Sequence, residues 1–91
     1  MPFITEENRI IYQQDGQTLA EITFPAFEEG VVNIDHTFVD PVLRGQGVAS
    51  QLVRAAAAEL RAQGKRAKTS CWYAAQWFEK HPQEQDLLYK E

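Results

Sequence analysis

The stretch Val39–Val53, VDPVLRGQGVASQLV, decides how the chain folds. An extended apolar run leads into it, and an alanine-rich segment with helical periodicity leads out. Between them Gly45 and Gly47 stand one residue apart. Two glycines at a strand-to-helix junction have two readings. They give a tight turn, or they let backbone amides come close to an anion. The unpaired N–H groups of a helix's first turn cluster at such a point, and the macrodipole places about half a positive charge there. A glycine backbone lets a phosphate reach those amides with no Cβ in the way. Arg44, immediately before the first glycine, adds a charged donor. Spacing alone leaves both readings open. The loop is not a P-loop, because it has no Gly-Lys-Ser/Thr. Nor is it the dinucleotide fingerprint, which needs a third glycine and a following strand that ends in an acid.

Working outward, the segment from about Gly47 to Gln63 predicts a helix of roughly 25 Å at 1.5 Å per residue. Ala49, Leu52, Val53, Ala56 and Leu60 form its apolar stripe; Gln51, Arg54 and Arg61 fall on its wet side, and Gly64 suits the C-terminal cap. On the other side, Val31–Val39 alternates with period two. Val32, Ile34, His36 and Phe38 share one face; Val31, Asn33, Asp35, Thr37 and Val39 share the other. Two further strands are predicted over about Arg9–Gln13 and Thr18–Phe24, joined by the hairpin signal at 15–17, with PAFEEG at 25–30 as the next turn. These strands make an antiparallel meander. RAKTSC, 66–71, reads as a fourth strand. A helical crossover makes it parallel to the third. A second helix runs from about Trp72 to Lys80, stopped by Pro82. The tail 83–90 is a short strand or a turn. The fold class is α+β, a mixed sheet packed by two helices.

Ninety-one residues with this composition make one domain. No apolar run approaches the roughly 20 residues of a membrane span. The first ten residues lack the basic-then-apolar layout of a secretory signal, so a cytoplasmic location is expected. The single cysteine, Cys71, rules out an internal disulfide and argues against a zinc cluster or any other metal site. Net charge is −4, unevenly spread: residues 1–41 sum to −7, residues 42–68 to +5, and residues 69–91 to −2. The total disfavours nucleic acid as a partner. The basic middle is either a solvated helix face or a local field for a compact polyanion.

RGQGVA, Arg44–Ala49, fits the Arg/Gln-x-x-Gly-x-Gly/Ala motif and so resembles the GNAT superfamily of acyl-CoA-dependent N-acetyltransferases. Arg44, Gly47 and Ala49 fill the motif's defined positions. The chain is more specifically similar to the minimal single-domain branch called YjdJ-type, through His36-Thr37-Phe38-Val39, Cys71-Trp72-Tyr73, Trp77 and His81-Pro82. The resemblance spans about residues 15 to 88. It implies acetyl-CoA or coenzyme A as cosubstrate and an amine acceptor, on a small molecule, peptide or protein. It further implies that the amides of Gly45, Gln46, Gly47, Val48 and Ala49 hold the pyrophosphate. Phe38 and Val39, with Ser70 and Cys71, flank the pantetheine arm where two parallel strands splay. Trp77 and Phe78 line the rest, and Arg44, Arg54 or Lys68 neutralise phosphate charge.

Two departures from the larger superfamily stand out. Only a few residues separate the first two predicted strands, where larger members place helices that help form the acceptor site. The acceptor side is therefore expected to be open. The tyrosine that serves many members as general acid is matched here by Phe78, which has no hydroxyl. The remaining candidates are Cys71, at a strand end and a helix start, and His36 on the neighbouring strand. A thiolate is a strong nucleophile, and a histidine or helix dipole lowers a thiol's pKa. The resemblance implies a Cys71 acyl intermediate; the alternative is direct attack by the amine with Tyr73 or water assisting. Each residue also has a structural reading. Cys71 serves as an inert buried thiol, His36 as a hydrogen-bonded core histidine, Trp72, Tyr73, Trp77 and Phe78 as core, His81 as a turn residue and Arg44 as a solvated side chain. Two functions are compatible with these residues: an N-acetyltransferase, or a coenzyme A-binding or protein-interaction module with little turnover.

Overall fold

The structure, a computed structural model, describes residues 3–89. Strands β1 (Phe3–Glu6), β2 (Arg9–Gln14) and β3 (Gln17–Thr23) run antiparallel. Strand β1 is not signalled by the sequence because its hairpin lacks a glycine. Asn8 takes the left-handed conformation at φ 62° instead. Asp15 and Gly16, both at positive φ, turn β2 into β3 as expected. The segment read as a turn at 25–30 contains a three-residue strand, β4 (Ala26–Glu28), too short and too exposed to alternate.

The largest correction concerns the third predicted strand. It is two strands, β5 (Val31–Ile34) and β6 (His36–Val39), broken at Asp35. Strand β5 joins β4 and β7 (Arg66–Thr69) in one sheet, while β6 joins β3 in a four-stranded sheet of order β1-β2-β3-β6. The pairing of β5 with β7 is parallel, from Val31 opposite Arg66 to Ile34 opposite Thr69, as the helical crossover requires. The break shifts the alternation by one residue, which moves side chains to the other face. Val32 and Ile34 are buried, but His36 and Phe38 are exposed. His36 is therefore not a core histidine.

Helix α1 (Val48–Ala62) buries Val48, Leu52, Val53, Ala56, Ala57 and Leu60; Ala49 is only half-buried. Each of the larger side chains gains roughly 1.5–3 kcal/mol from leaving water. Gly64, at φ 69°, ends the helix in a Schellman arrangement: Lys65 N–H donates to Leu60 O at 2.9 Å and Gly64 N–H to Arg61 O at 3.2 Å. After β7, helix α2 (Trp72–Glu79) buries Ala74, Trp77 and Phe78 in the core that α1 and the strands share. The indole N–H of Trp77 donates to Ser50 Oγ at 3.0 Å and joins the two helices. His81 stacks on the same indole at 3.9 Å between ring centres. The tail forms a 3-10 helix, Pro82–Leu87, and then lies along β7, with Tyr89 N–H donating to Ala67 O at 2.8 Å.

Arg61 on α1 clamps this tail, donating to Asp86 Oδ2 at 2.7 Å and to Glu84 Oε1 at 3.0 Å. Hydrogen bonding to Arg61 holds the Asp86 carboxyl below the ordinary carboxylate range. A depressed carboxylate contributes stability above its unfolded pKa and loses it as pH falls through the folded value. Arg61→Ala is therefore expected to lower the melting midpoint slightly at neutral pH, with the gap to the parent protein closing as the buffer is acidified below the carboxylate range. Ser50→Ala leaves the Trp77 N–H buried without its acceptor, at a cost of about 1–3 kcal/mol. Urea unfolding should show a lower midpoint with unchanged slope.

Candidate functional site

The loop between β6 and α1 is built from local chemistry. Asp40 ends β6, and its Oδ1 accepts the Val42 N–H at 3.0 Å, starting the 3-10 turn Pro41–Leu43. Leu43 plugs into the core at 4% exposure, while Arg44 stays exposed. Gly45 and Gly47 then take φ of 82° and 69°. Left-handed backbone at these values is costly for residues with a Cβ, which is the conformational reason for both glycines. A Cβ added at either would meet nothing within 4 Å, so the space beside the loop is open.

Gly47 caps α1 without a side-chain hydrogen bond, and the cap's own carbonyl first accepts from Gln51 N–H at 3.1 Å. The amides of Val48, Ala49 and Ser50 precede that bond, at the positive end of a fifteen-residue helix. Beside them lies a cavity of about 270 Å³ lined by Val39 of β6, the loop residues Leu43, Arg44, Gly45 and Gly47, the first turn of α1, and Tyr73 of α2. Bare amides, a guanidinium and open space form an arrangement that accepts an anion. A larger cavity, about 580 Å³, lies on the other side of the loop. Gln46 turns there, beside Asp15 and Asp40. Its carboxylates disfavour a phosphate, so the smaller cavity fits the loop's donors better.

Past Ile34 and Thr69 the two parallel strands part, since β6 pairs only with β3. Cys71 stands at this fork as the N-cap of α2, half-buried. Its N–H donates to Ile34 O at 3.0 Å, and its Sγ lies 3.5 Å from Thr37 Oγ1. Ser70 is exposed and bound by its N–H and its hydroxyl to Asn33 Oδ1. Thr37 reaches the thiol, so its strand neighbour His36 points to the opposite face. His36 is not the partner of Cys71. Sequence reasoning misses Thr37 as that partner because a threonine in an alternating strand carries no chemical signal of its own.

The other expected residues divide as follows. Val39, Arg44, Gly45, Gly47, Val48 and Ala49 converge on the loop cavity. Phe38 lies on the outer sheet face, 41% exposed. Trp77 and Phe78 are core residues at 4% and 1% exposure, so they support the wall from behind. Arg54 opens on a groove with Arg61 and Glu84, and Lys68 sits over the Phe27 ring at 4.1 Å; neither lines the cavity. Burial raises the Tyr73 hydroxyl above its ordinary pKa, so it keeps its proton at neutral pH.

Among the described residues no group of three or more His, Cys, Asp or Glu side chains could hold a metal ion, and no helix is long and apolar enough to cross a membrane. Comparison with the curated proteins gives no match. The profile of the GCN5-related N-acetyltransferases matches residues 9–87. A GCN5-like N-acetyltransferase candidate from Staphylococcus aureus, solved by NMR, is 31% identical with a TM-score of 0.78, over 98% of this chain and 88% of that one. A GNAT family acetyltransferase from Brucella melitensis, solved in complex with acetyl-CoA, is 26% identical with a TM-score of 0.62, over 76% of this chain and 50% of that one. The ribosomal-protein-S18-alanine N-acetyltransferase of Escherichia coli shares the fold at 18% identity and a TM-score of 0.64, over 87% of this chain and 51% of that one. The chain thus spans about half the length of the last two. A profile match over most of the chain, with the glycine loop heading α1 and the parallel strands forking beside Cys71, makes this protein a member of the GCN5-related N-acetyltransferase family.

Proposed function

We propose that the protein transfers the acetyl group of acetyl-CoA to an amine. One observation carries this reading: Gly45 and Gly47 at positive φ leave the first amides of α1 bare over a cavity that Tyr73 and the end of β6 also line. The amides of Gly47, Val48 and Ala49 would bind the pyrophosphate, with Arg44 as a charged donor. Gln46, carried in the same motif, contributes its backbone only. Its carbonyl accepts from Gln51 Nε2 at 3.3 Å, a bond that stiffens the turn. The arm of the cosubstrate would then follow the fork between β6 and β7 towards Cys71.

Acetyl-CoA supplies an activated acyl group. The chain's own residues position it and manage protons. Phe78 is buried and has no hydroxyl to donate. Tyr73 lines the cavity and holds its proton, so it is the residue placed to return a proton to the departing sulfur. Cys71 sits at the positive end of α2 with Thr37 against its sulfur, which suits a thiol that takes up the acetyl group before the amine does. Thr37 rather than the exposed His36 stands against that sulfur, so the step proposed here does not use the histidine.

Titration with coenzyme A should show binding to the parent protein and none to Gly47→Glu, because a carboxylate in the cradle repels the diphosphate; unchanged affinity in a folded variant would sink the reading. Incubation with labelled acetyl-CoA followed by intact mass should give a single acetyl adduct that Cys71→Ser loses. Turnover without any adduct would point to direct attack by the amine. Binding with neither adduct nor turnover on any amine would leave a coenzyme A-binding module.

A further inference from the structure

Ser50 stands in the first turn of α1, half-buried, and lines the loop cavity. A serine hydroxyl has two lone pairs and one proton. Its oxygen is already engaged, because Trp77 Nε1–H donates to it at 3.0 Å. That donor has no freedom to turn away. The indole is buried, with the Phe78 ring edge-on at 5.1 Å and the His81 ring stacked on its face at 3.9 Å, 16° from parallel. His81 is anchored to the same residue. A carbonyl oxygen only accepts, so His81 Nδ1 donates to Trp77 O, at 2.7 Å. The His81 backbone N–H donates to Phe78 O at 3.2 Å, and Pro82 follows at the start of the next turn. The end of α2 is thus a clamp that fixes where the indole N–H points.

The clamp also decides where the Ser50 proton goes. A serine inside a helix can donate back to a carbonyl three or four residues earlier. Here those acceptors are Gly47 O and Gln46 O. Gly47 O takes the Gln51 N–H at 3.1 Å, and Gln46 O takes the Gln51 Nε2–H at 3.3 Å. Among the described residues no acceptor takes the Ser50 proton. With its oxygen held from the α2 side, the hydroxyl keeps that proton for the cavity. The bare amides of the first turn and the Arg44 guanidinium border the same space.

Resting on the acetyl-CoA reading, we infer that Ser50 binds the cosubstrate, its hydroxyl donating to a phosphate oxygen, and that Trp77, locked by His81, is the positioning residue that orients it. Trp77 lies behind the cavity wall and acts through the serine. By occupying the serine oxygen it presents the hydroxyl to the anion already turned as a donor, which lowers the ordering cost of binding. Hydrogen bonds in series also polarise one another. An O–H that donates to an anion makes its oxygen a better acceptor for the indole. Binding in the cavity is therefore felt at a ring 27 positions away in the chain.

The test uses the full chain, with coenzyme A as the probe. In calorimetric titration Ser50→Ala should bind about tenfold or more weakly, the loss of a hydrogen bond to a charged group, while Ser50→Thr stays within about threefold of the parent protein. Trp77→Phe keeps a ring in the core but frees the hydroxyl to turn, and should weaken binding by a smaller factor than Ser50→Ala. The double variant should bind no more weakly than Ser50→Ala alone, since the indole acts only through the hydroxyl. Trp72→Phe leaves Trp77 as the one tryptophan of the chain. Its emission should shift when coenzyme A is added, and should stay still at saturating ligand once Ser50→Ala is added. Parent-like affinity in Ser50→Ala overturns the inference. So does a Ser50→Thr protein as weak as Ser50→Ala, or a double variant in which the two losses multiply, which marks a purely structural role for Trp77. If Ser50→Ala fails to fold, Trp77→Phe and the emission of the Trp72→Phe protein decide: unchanged affinity in the first or a silent second overturns the inference. No coenzyme A binding by the parent protein sinks the acetyl-CoA reading itself.

Discussion

The break at Asp35 is the constraint on which the rest of the structure depends. On one side of it, β5 is held by β7 in parallel register. On the other, β6 is held by β3 in antiparallel register. One chain cannot satisfy both partners without a change of direction, and Asp35 absorbs it, with its N–H donating to Thr23 O at 3.3 Å and its carboxylate taking the Thr23 hydroxyl. The consequence is a fork. Strand β6 is left with an edge that no other strand pairs among the described residues, and Cys71 enters the space that opens beside it. Without the break the two sheets would be one, and the fork beside Cys71 would not exist.

Helix α1 serves the fork from the other end. Its apolar stripe packs the core, and its first turn presents bare amides over the loop cavity. The two roles are compatible because they use different parts of the helix, side chains along one face and backbone at one end. The positions of the glycines reflect the same division. Each takes a positive φ that redirects the chain, and the open space next to them keeps the amides accessible. At the far end, Gly64 and the Arg61 clamp fix where the helix stops and how the tail returns to β7. The Ser50–Trp77 bond then ties the first turn of α1 to α2, so that the helix carrying Cys71 at its head and Tyr73 in its first turn is registered against the loop.

The matched part of the chain spans about half of the Brucella and Escherichia proteins that share its fold. Charge is unevenly spread along the chain, −7 over residues 1–41 and +5 over residues 42–68. The basic segment folds into the loop, α1 and β7, and the acidic one into β1 to β6, and the two meet where β5 pairs with β7.

By itself the sequence determined the elements whose signals are local. The helix from Val48 to Ala62, its glycine cap, the glycine loop, the β2–β3 hairpin and the parallel course of β7 could all be read from periodicity, from glycine and from the handedness of a helical crossover. The loop residues of the candidate site were legible for the same reason. The tertiary structure alone decided what depends on competing partners. Strands β1 and β4 lack strong signals because one turns on an asparagine and the other is three residues long. Alternation misplaces the faces of His36 and Phe38 because it assumes one continuous strand, and the break that shifts it is caused by pairing to β3 and β7, far away in the chain. The contact of Thr37 with Cys71 spans 34 positions and exists only where those pairings diverge. Periodicity reports the burial of a residue among its near neighbours; which remote strand holds it is a choice made by the folded chain as a whole.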